Sequence, residues 1–291
     1  MLIDSKLEYS FNVFKIVLGV IAKMENRYIR EFIEHYFFIG INKIIIFDNN
    51  EINGEKMDEV LKDFIKNDFV TIYNYRGIKK SQMKAYNEMY NKFRHQYDWI
   101  MFFDVDEFLN LSQYKNIHYF LRDKKFDNCD VIHIHWVTYD DNDLIHYDNR
   151  PVQVRFTRPI YKLIIDNLYV KSIFRTNLNV TFKISHSPNG KKLKKCDVNG
   201  KPSYINSKSK YNPAIEKNLS IPFIKHFQCK TIEEFFNKLF RGNVHEFSGE
   251  SIKTTTKKKF FRMNKWTQEK EEIANKLIKN YLNKINLKKR N

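Results

Sequence analysis

The chain has 291 residues, of which 42% are hydrophobic and 15% aromatic, so it can form one large α/β domain with a modest appendage. Its 8 glycines and 6 prolines exclude a linker-rich or disordered protein. A formal net charge of +17 is compatible with nucleic acid, an anionic membrane surface or an anionic small substrate. No nucleic-acid-binding motif accompanies the charge, so we expect no nucleic acid partner.

The cysteines and the N-terminal stretch bear on the compartment. Cys129, Cys196 and Cys229 are odd in number and widely spaced, which suggests neither a disulfide framework nor a zinc site. We therefore expect a reducing compartment. The apolar stretch 11–22 is interrupted by Lys15 and is too short to span a bilayer. It predicts a strand and a cytoplasmic protein, held at most peripherally at the inner face of the membrane.

The first half of the chain alternates buried-strand and amphipathic-helix patterns. The predicted strands cover residues 14–22, 43–47, 69–73 and 99–103. The predicted helices between them cover residues 26–40, 57–66 and 81–95. Such alternation predicts a parallel sheet wound by right-handed crossovers, typical of nucleotide-binding α/β domains.

The fourth predicted strand ends in three closely spaced carboxylates, Asp104, Asp106 and Glu107. Ligands of open α/β sheets bind at this edge. Asp104 and Asp106 can converge on one ion if the chain turns after Phe103, and hard oxygen ligands suit Mg²⁺ or Mn²⁺ holding a diphosphate. A solvated acidic turn is the alternative interpretation.

After residue 111 the alternation loosens. A strand over 131–137 places His133 and His135 on one face, either as metal ligands or at a partly polar sheet surface. Further short strands are predicted over 152–156, 169–174 and 180–184. These pieces predict a mixed or antiparallel addition to the sheet.

Two basic segments have alternative interpretations. The lysine-rich stretch 187–218 is either a solvated mobile loop or a lid that binds phosphate or an anionic acceptor. Residues 266–286 predict an amphipathic helix that either packs on the domain or lies on an anionic membrane. Between them, Thr231 and Glu234 form a capping box that begins a helix ending near residue 240.

Four stretches together resemble glycosyltransferases of family 92 and of the family 2-like group. They are residues 22–40, 46–49, 99–108 and 226–242. Weaker similarities occur at Gln82, Trp136, residues 171–175 and His186. The resemblance covers roughly residues 14 to 247. It implies a GT-A type α/β fold, with a Rossmann-like, mostly parallel sheet flanked by helices and a mixed or antiparallel C-terminal extension.

The resemblance also implies a division of the chain. Residues 1–247 form the glycosyltransferase domain, of which 12–137 bind the nucleotide-sugar and 138–247 complete the acceptor and metal sites. Residues 248–291 form a basic C-terminal helical tail.

The implied reaction transfers a hexose from a nucleotide diphosphate donor to a hydroxyl of a carbohydrate or glycolipid. A divalent cation, Mn²⁺ or Mg²⁺, bridges the diphosphate. The resemblance favours a UDP-hexose donor, with galactose as a candidate, and inversion at the anomeric carbon. Such an enzyme would serve surface polysaccharide or glycan synthesis.

Residue roles follow from the same resemblance. Glu25 and Asp48, at the ends of the first two strands, hold the nucleoside. Asp104 contacts the ribose or the metal, and Asp106 coordinates the metal. His226 completes the metal or phosphate contacts, although Phe-Gln follows it where the family more often has Tyr.

Three further residues join the expected donor site. Gln82 is assigned to donor binding. Lys238 and Arg241 lie three apart on one helix face and either neutralise the leaving diphosphate or are surface charges.

An inverting enzyme needs a carboxylate to accept the proton of the acceptor hydroxyl. The acidic loop after the 131–137 strand offers Asp141 and Asp140 for this role, with Glu107 and Glu246 as rivals.

Two other functions compete with this interpretation. A sugar nucleotidyltransferase would need a glycine- and lysine-bearing phosphate loop near the N-terminus, and residues 23–27 contain no glycine. A non-catalytic basic protein that binds nucleic acid or membrane would not need the carboxylates at positions 25, 48, 104 and 106.

Overall fold

The structure is a computed structural model that describes residues 14–160, 165–204, 219–240 and 252–288. The strands are β1 (Ile16–Ala22), β2 (Lys43–Asp48), β3 (Val70–Asn74), β4 (Trp99–Phe102), β5 (Glu107–Asn110), β6 (Val131–Thr138), β7 (Val170–Arg175), β8 (Val180–Thr181), β9 (Asn189–Gly190), β10 (Lys195–Asp197) and β11 (Phe223–His226). The helices are α1 (Asn26–Phe38), α2 (Met57–Val60), α3 (Lys62–Lys66), α4 (Gln82–Phe93), α5 (Ile117–Leu121), α6 (Val152–Arg155), α7 (Ile232–Phe240), α8 (Ile252–Met263) and α9 (Gln268–Lys288).

A central sheet has the order β3-β2-β1-β4-β7-β6-β11-β5, with β10 also paired to β6. The strands β1 to β4 pair in parallel. Strand β7 is antiparallel to both β4 and β6, and β11 is parallel to β6. The predicted α/β fold with a mixed second half is confirmed, and the sheet as a whole is mixed.

The directions of the strands place the ends of several of them at one edge of the central sheet. Strands β1, β4, β6 and β11 all run the same way, so their carboxyl ends lie together. Strand β7 runs the opposite way, so its first residues lie at that same edge. The sheet thus gathers the residues that follow β1, β4 and β11 with those that begin β7.

The centre of the sheet is buried on both faces. Alternate residues of β1 point to opposite sides: Leu18 packs in the cluster that contains Phe32 of α1, and Val17 in the cluster that contains Tyr86 of α4. All seven residues of β1 are buried. This two-sided burial explains the continuous apolar run that predicted the strand.

Local sequence signals set two helix ends as predicted. Thr231 Oγ1 accepts a hydrogen bond from the Glu234 N–H at 3.1 Å, and the Thr231 N–H donates to the Glu234 carboxylate at 3.2 Å, which confirms the capping box of α7. Gly40 follows α1 with φ +98°, a left-handed conformation that glycine adopts without strain.

The predicted strand over 152–156 is wrong, because these residues form the helical turn α6. The N–H groups of Val152 and Gln153 donate to the Glu31 carboxylate at 2.6 and 3.1 Å. A carboxylate from a distant helix therefore satisfies the first N–H groups of this turn.

The segment 187–218, interpreted from the sequence either as a solvated mobile loop or as a lid, contains two short strands in its first part. Residues 189–190 pair with β8, and β10 adds to the first half of β6. The rest of that segment, residues 205–218, lies outside the described residues.

The predicted absence of a disulfide is also wrong, because Cys129 and Cys196 form one across 67 residues. Cys196 lies on β10 beside Ile132 of β6, so the pairing depends on tertiary contacts. Because this disulfide is present, the cysteines no longer indicate a reducing compartment. Among the described residues, no helix combines the length and apolar character needed to cross a bilayer.

The C-terminal helices pack against α7. Phe235 and Phe236 of α7 share one hydrophobic cluster with Phe260 of α8 and with Ala274 and Ile278 of α9. The helix predicted over 266–286 corresponds to α9, and it packs on the domain through this apolar side.

Gly19, in the middle of β1, leaves space for neighbouring side chains, so an added methyl group should be costly. A Cβ at this position would overlap the Met89 sulfur and lie 2.5 Å from the Phe102 ring, which is itself stacked on Tyr86. We expect Gly19→Ala to lower the free energy of unfolding by about 1–3 kcal/mol through overpacking, measured by urea denaturation. Adding Phe102→Leu should recover part of the loss, and an unchanged midpoint in Gly19→Ala would contradict this packing.

Candidate functional site

A cleft of about 280 Å³ opens at the edge where β1, β4 and β11 end. Six residues expected from the sequence line it: Glu25, Gln82, Asp104, Asp106, His226 and Lys238. Each of the six lies at the start or end of a strand or helix, or on α7. Glu25 and Lys238 are 213 positions apart in the sequence (238 − 25), yet both line this cleft. The structure therefore brings most of the expected donor and metal residues together.

The turn after β4 is stabilised by its own carboxylates. The Asp104 N–H donates to the Glu107 side chain at 2.9 Å, and the Glu107 N–H donates to the Asp104 carbonyl at 2.9 Å. Glu107 is fully buried and does not line the cleft. Its carboxylate thus shapes the turn that presents Asp104 and Asp106.

A buried lysine of β7 completes this turn. The Lys171 ammonium lies 2.8 Å from Asp104 Oδ2 and 3.3 Å from Glu107 Oε2, with 1% of its side chain exposed. Burial alone lowers the pKa of Lys171, but the two carboxylates outweigh it and hold that pKa well above its ordinary value. Lys171 is therefore charged, and 37% of the Asp104 side chain remains exposed to the cleft.

Asp106 is the more buried of the two aspartates, at 4% exposure. Lys238 of α7 contacts its Oδ2 atom, and His226 Nε2 lies 3.8 Å from the same oxygen. Burial raises the pKa of Asp106, but Lys238, His226 and Lys230 together hold it well below its ordinary value. Asp106 is therefore ionised at neutral pH.

His226 is in the neutral form that binds metals. Burial lowers its pKa to about 4 despite the nearby Asp106. Its ring lies against Trp136, with 4.1 Å between the ring centroids, which fixes the imidazole beside the carboxylate.

Asp106 and His226 fit a divalent cation that takes its other ligands from a substrate. Within the described part of the chain, no group of three or more His, Cys, Asp or Glu is arranged to hold a metal. Mg²⁺ usually takes only one or two protein carboxylates together with substrate phosphates, and Mn²⁺ also accepts imidazole. Asp104 is paired with Lys171, which is 1% exposed, whereas Lys238, the partner of Asp106, is 29% exposed and can move away. Asp106 and His226 are therefore the residues best suited to this role.

Asp48 lies at the end of β2 but does not line the cleft. It pairs with Arg76 at 2.8 Å. Arg76 in turn donates to the Glu55 carbonyl, and the Glu55 carboxylate accepts the N–H of Asn26 at 3.1 Å. Asp48 therefore stabilises the loop that supports the segment containing Glu25.

The carboxylates expected to act as the base also lie outside the cleft lining. Asp140 pairs with Arg158 at 3.0 Å near the surface. Asp141 is 0% exposed and pairs with Lys270 of α9 at 2.5 Å. Arg241 and Glu246 lie outside the described residues.

The two histidines of β6 are buried within the sheet rather than at its surface. His133 contacts Ser203 Oγ at 2.8 Å through Nδ1 and Ser187 Oγ at 3.1 Å through Nε2. These contacts use both ring nitrogens, so His133 has a structural role.

Several cleft residues were missed at the sequence level or noted without a role. They are Lys23, Trp136, Ser185, His186, Gln228 and Lys259. Lys171, beneath the cleft, had one usable signal: a lysine flanked in a strand by Val170 and by the apolar or small residues 172–174 needs buried carboxylate partners. Lys259, one of three consecutive lysines, had none.

A sequence model of glycosyltransferase family 92 matches residues 18–281. The chain belongs to glycosyltransferase family 92. The match covers the cleft residues and extends through α8 into α9. The predicted enzyme class is confirmed at this level. A search of curated proteins found no match.

Solved glycosyltransferase structures share a weaker similarity. Staphylococcus aureus TarS 1–349 with UDP-GlcNAc has a TM-score of 0.42 and 12% identity, over 92% of this chain and 80% of that one. TarS 1–349 with UDP has a TM-score of 0.37 and 14% identity, over 55% of this chain and 46% of that one. Mannosyltransferase PcManGT from Pyrobaculum calidifontis, with GDP-Man and Mn²⁺, has a TM-score of 0.32 and 11% identity, over 42% of this chain and 35% of that one. The alignments to the last two structures thus cover less than half of each of those chains.

Removing the charge of Asp141 should destabilise the fold, because the buried Lys270 would lose its partner at 2.5 Å and keep only Asp143, at 3.6 Å, as an ion-pair partner. We expect Asp141→Asn to lower the free energy of unfolding by about 3–5 kcal/mol, measured by urea denaturation. Asp140→Asn is the matched control: its partner Arg158 is 47% exposed, so the loss should stay below about 1 kcal/mol. A stable Asp141→Asn protein that had lost turnover would instead support a catalytic role.

Proposed function

We propose that this family 92 protein is a metal-dependent glycosyltransferase that moves a hexose from a UDP-sugar to a hydroxyl of a carbohydrate or glycolipid. The observation that carries the proposal is the convergence of an ionised Asp106, a neutral His226 and the Lys238 ammonium in one cleft. These groups suit a metal-bound diphosphate, and the family supplies the reaction class.

The nucleoside would occupy the part of the cleft nearest β1 and α4. Glu25 and Gln82 line that part, and Gln82 Nε2 lies 3.5 Å from Asp104 Oδ1. Carboxylate and amide oxygens accept hydrogen bonds from ribose hydroxyls. Asp48 would contribute by stabilising the loop behind Glu25.

The diphosphate would lie at the Asp106 end of the cleft. Asp106 and His226 would hold the cation, which when bound neutralises charge on the departing diphosphate. Lys238 would move from Asp106 to a phosphate oxygen, because both are anionic partners within reach of one flexible ammonium. The chain then provides its own positive charge where the leaving group develops negative charge.

Transfer with inversion forms a bond between the acceptor oxygen and the anomeric carbon while the bond from that carbon to the diphosphate breaks. The acceptor proton passes to a carboxylate that must reach the cleft. Asp141 is fully buried against Lys270, so its ion pair argues against this role. Asp140 would first have to leave Arg158.

Replacing Asp106 should abolish donor binding with the metal while leaving the fold intact. We expect UDP with Mn²⁺, at about 100 times the dissociation constant, to stabilise the wild-type protein by about 2.7 kcal/mol, seen as a raised Tm. Asp106→Asn should lose this shift and the Mn²⁺-dependent hydrolysis of UDP-hexoses.

Asp127→Asn, at an exposed aspartate away from the cleft, is the control and should behave as wild type. Stabilisation of the wild-type protein by DNA but not by UDP would refute the proposal. So would full activity in Asp106→Asn.

Lys238 should compete with the cation for Asp106 when no nucleotide is bound, because its ammonium contacts the carboxylate. We expect Lys238→Met to bind Mn²⁺ alone about tenfold more tightly, equivalent to about 1.4 kcal/mol, in a titration followed by electron paramagnetic resonance. The same variant should bind UDP with Mn²⁺ more weakly. Unchanged affinity for Mn²⁺ alone would show that Lys238 does not occupy the metal position.

A further inference from the structure

The C-terminal helix α8 forms part of one wall of the cleft. Lys259 of α8 lines the cleft together with Phe235, Lys238 and Leu239 of α7. The position of α8 is set by its apolar contacts with α7, in which Phe260 lies against Phe235 at 5.2 Å between ring centroids. A segment expected to be a tail therefore reaches the donor site.

Contacts at the end of α8 fix which side of the helix faces the cleft. Met263 lies one turn after Lys259, so the two side chains share a face. The Met263 sulfur is 3.3 Å from Gln228 Nε2, and Gln228 itself lines the cleft. Asn264 accepts the N–H of Asp141 at 2.8 Å, which ties the end of α8 to the loop after β6.

The three consecutive lysines of α8 have different surroundings. Lys257 turns to α9, where its ammonium lies 3.1 Å from Glu271 and 2.8 Å from Asn275. Lys259 faces the cleft. Lys258 is exposed and does not line the cleft. Lys258 therefore offers the same charge on the same helix without access to the site.

Lys259 lies near the phosphate end of the cleft rather than the nucleoside end. Phe260, next to Lys259, packs against Phe235 of α7, and Lys238, about one turn further along α7, contacts Asp106. Lys259 therefore lines the cleft on the side of Asp106, where the cation and the diphosphate would meet. Its exposed ammonium is available to an incoming anion.

We propose that Lys259 binds the diphosphate of the nucleotide-sugar donor, so that the helical pair α8 and α9 completes the donor site. This inference rests on the proposed function. It assigns Lys259 a binding role beside Lys238, and it gives the C-terminal helices a part in donor recognition. An anionic acceptor is the other ligand that an exposed cation at this cleft would attract, and binding of UDP without acceptor separates the two.

The test is calorimetric titration of the full chain with UDP in the presence of Mn²⁺. We expect Lys259→Ala to weaken UDP binding about tenfold, the usual size of one lost charge-assisted hydrogen bond. Lys258→Ala should change it by less than about twofold, because a solvated charge away from the ligand is screened. Lys259→Arg should restore most of the affinity, and all three unliganded variants should melt at the wild-type temperature.

Uridine, which has no phosphate, should bind wild type and Lys259→Ala equally. Wild-type affinity for UDP in Lys259→Ala would overturn the inference and leave the proposed function standing. Equal weakening by Lys258→Ala and Lys259→Ala, or equal weakening for UDP and uridine, would also overturn it. A wild-type protein that binds no nucleoside diphosphate would overturn the proposed function as well.

Discussion

The buried ammonium of Lys171, between Asp104 and Glu107, is the interaction on which the cleft depends. Taking charges out of water costs several kcal/mol for each ion unless they are paired. Here one lysine lies 2.8 Å from Asp104 and 3.3 Å from Glu107, and burial raises the pKa of Glu107 well above its ordinary value in spite of this lysine. The pairing is possible only because β7 runs antiparallel to β4, which brings the first residues of β7 to the edge where β4 ends. The direction of one strand thus sets the shape of the acidic turn, and the turn sets where Asp106 points.

Two lysines near Asp106 come from helix α7 and from the segment just before it. Lys230 precedes α7 and Lys238 lies on it, and both lower the pKa of Asp106. Helix α7 is fixed by its own buried pair, in which Arg155 lies 2.8 and 3.0 Å from the two Glu234 oxygens. Asp106 therefore has cationic partners before any donor enters. In the proposed function, a diphosphate and a divalent cation would enter together and exchange partners with Lys238 and Asp106, which would leave no buried charge unpaired.

Sequence patterns predicted what depends on neighbours along the chain. The apolar runs of β1, β2 and β4, the one-sided helix α1 and the Thr231–Glu234 capping box all rest on contacts within a few residues or on simple burial. Features that rest on distant partners were missed or wrong. Helix α6 depends on Glu31, 121 residues earlier, the Cys129–Cys196 disulfide spans 67 residues, and Lys171 meets Asp104 across 67 residues. The acidic motif itself was visible, but the lysine that controls it needed the strand order.

In the C-terminal helices, one ion pair argues against a catalytic role for Asp141 and also anchors another part of the cleft. A carboxylate at a strand end beside a cleft is a reasonable base on sequence grounds, and Asp141 has that position. Its partner Lys270 argues against that role, because the carboxylate is held in a fully buried pair at 2.5 Å. The same pair joins the loop after β6 to α9, while Asn264 joins that loop to α8. Because α8 carries Lys259 into the cleft, the anchoring of the C-terminal helices determines part of the lining of the proposed donor site.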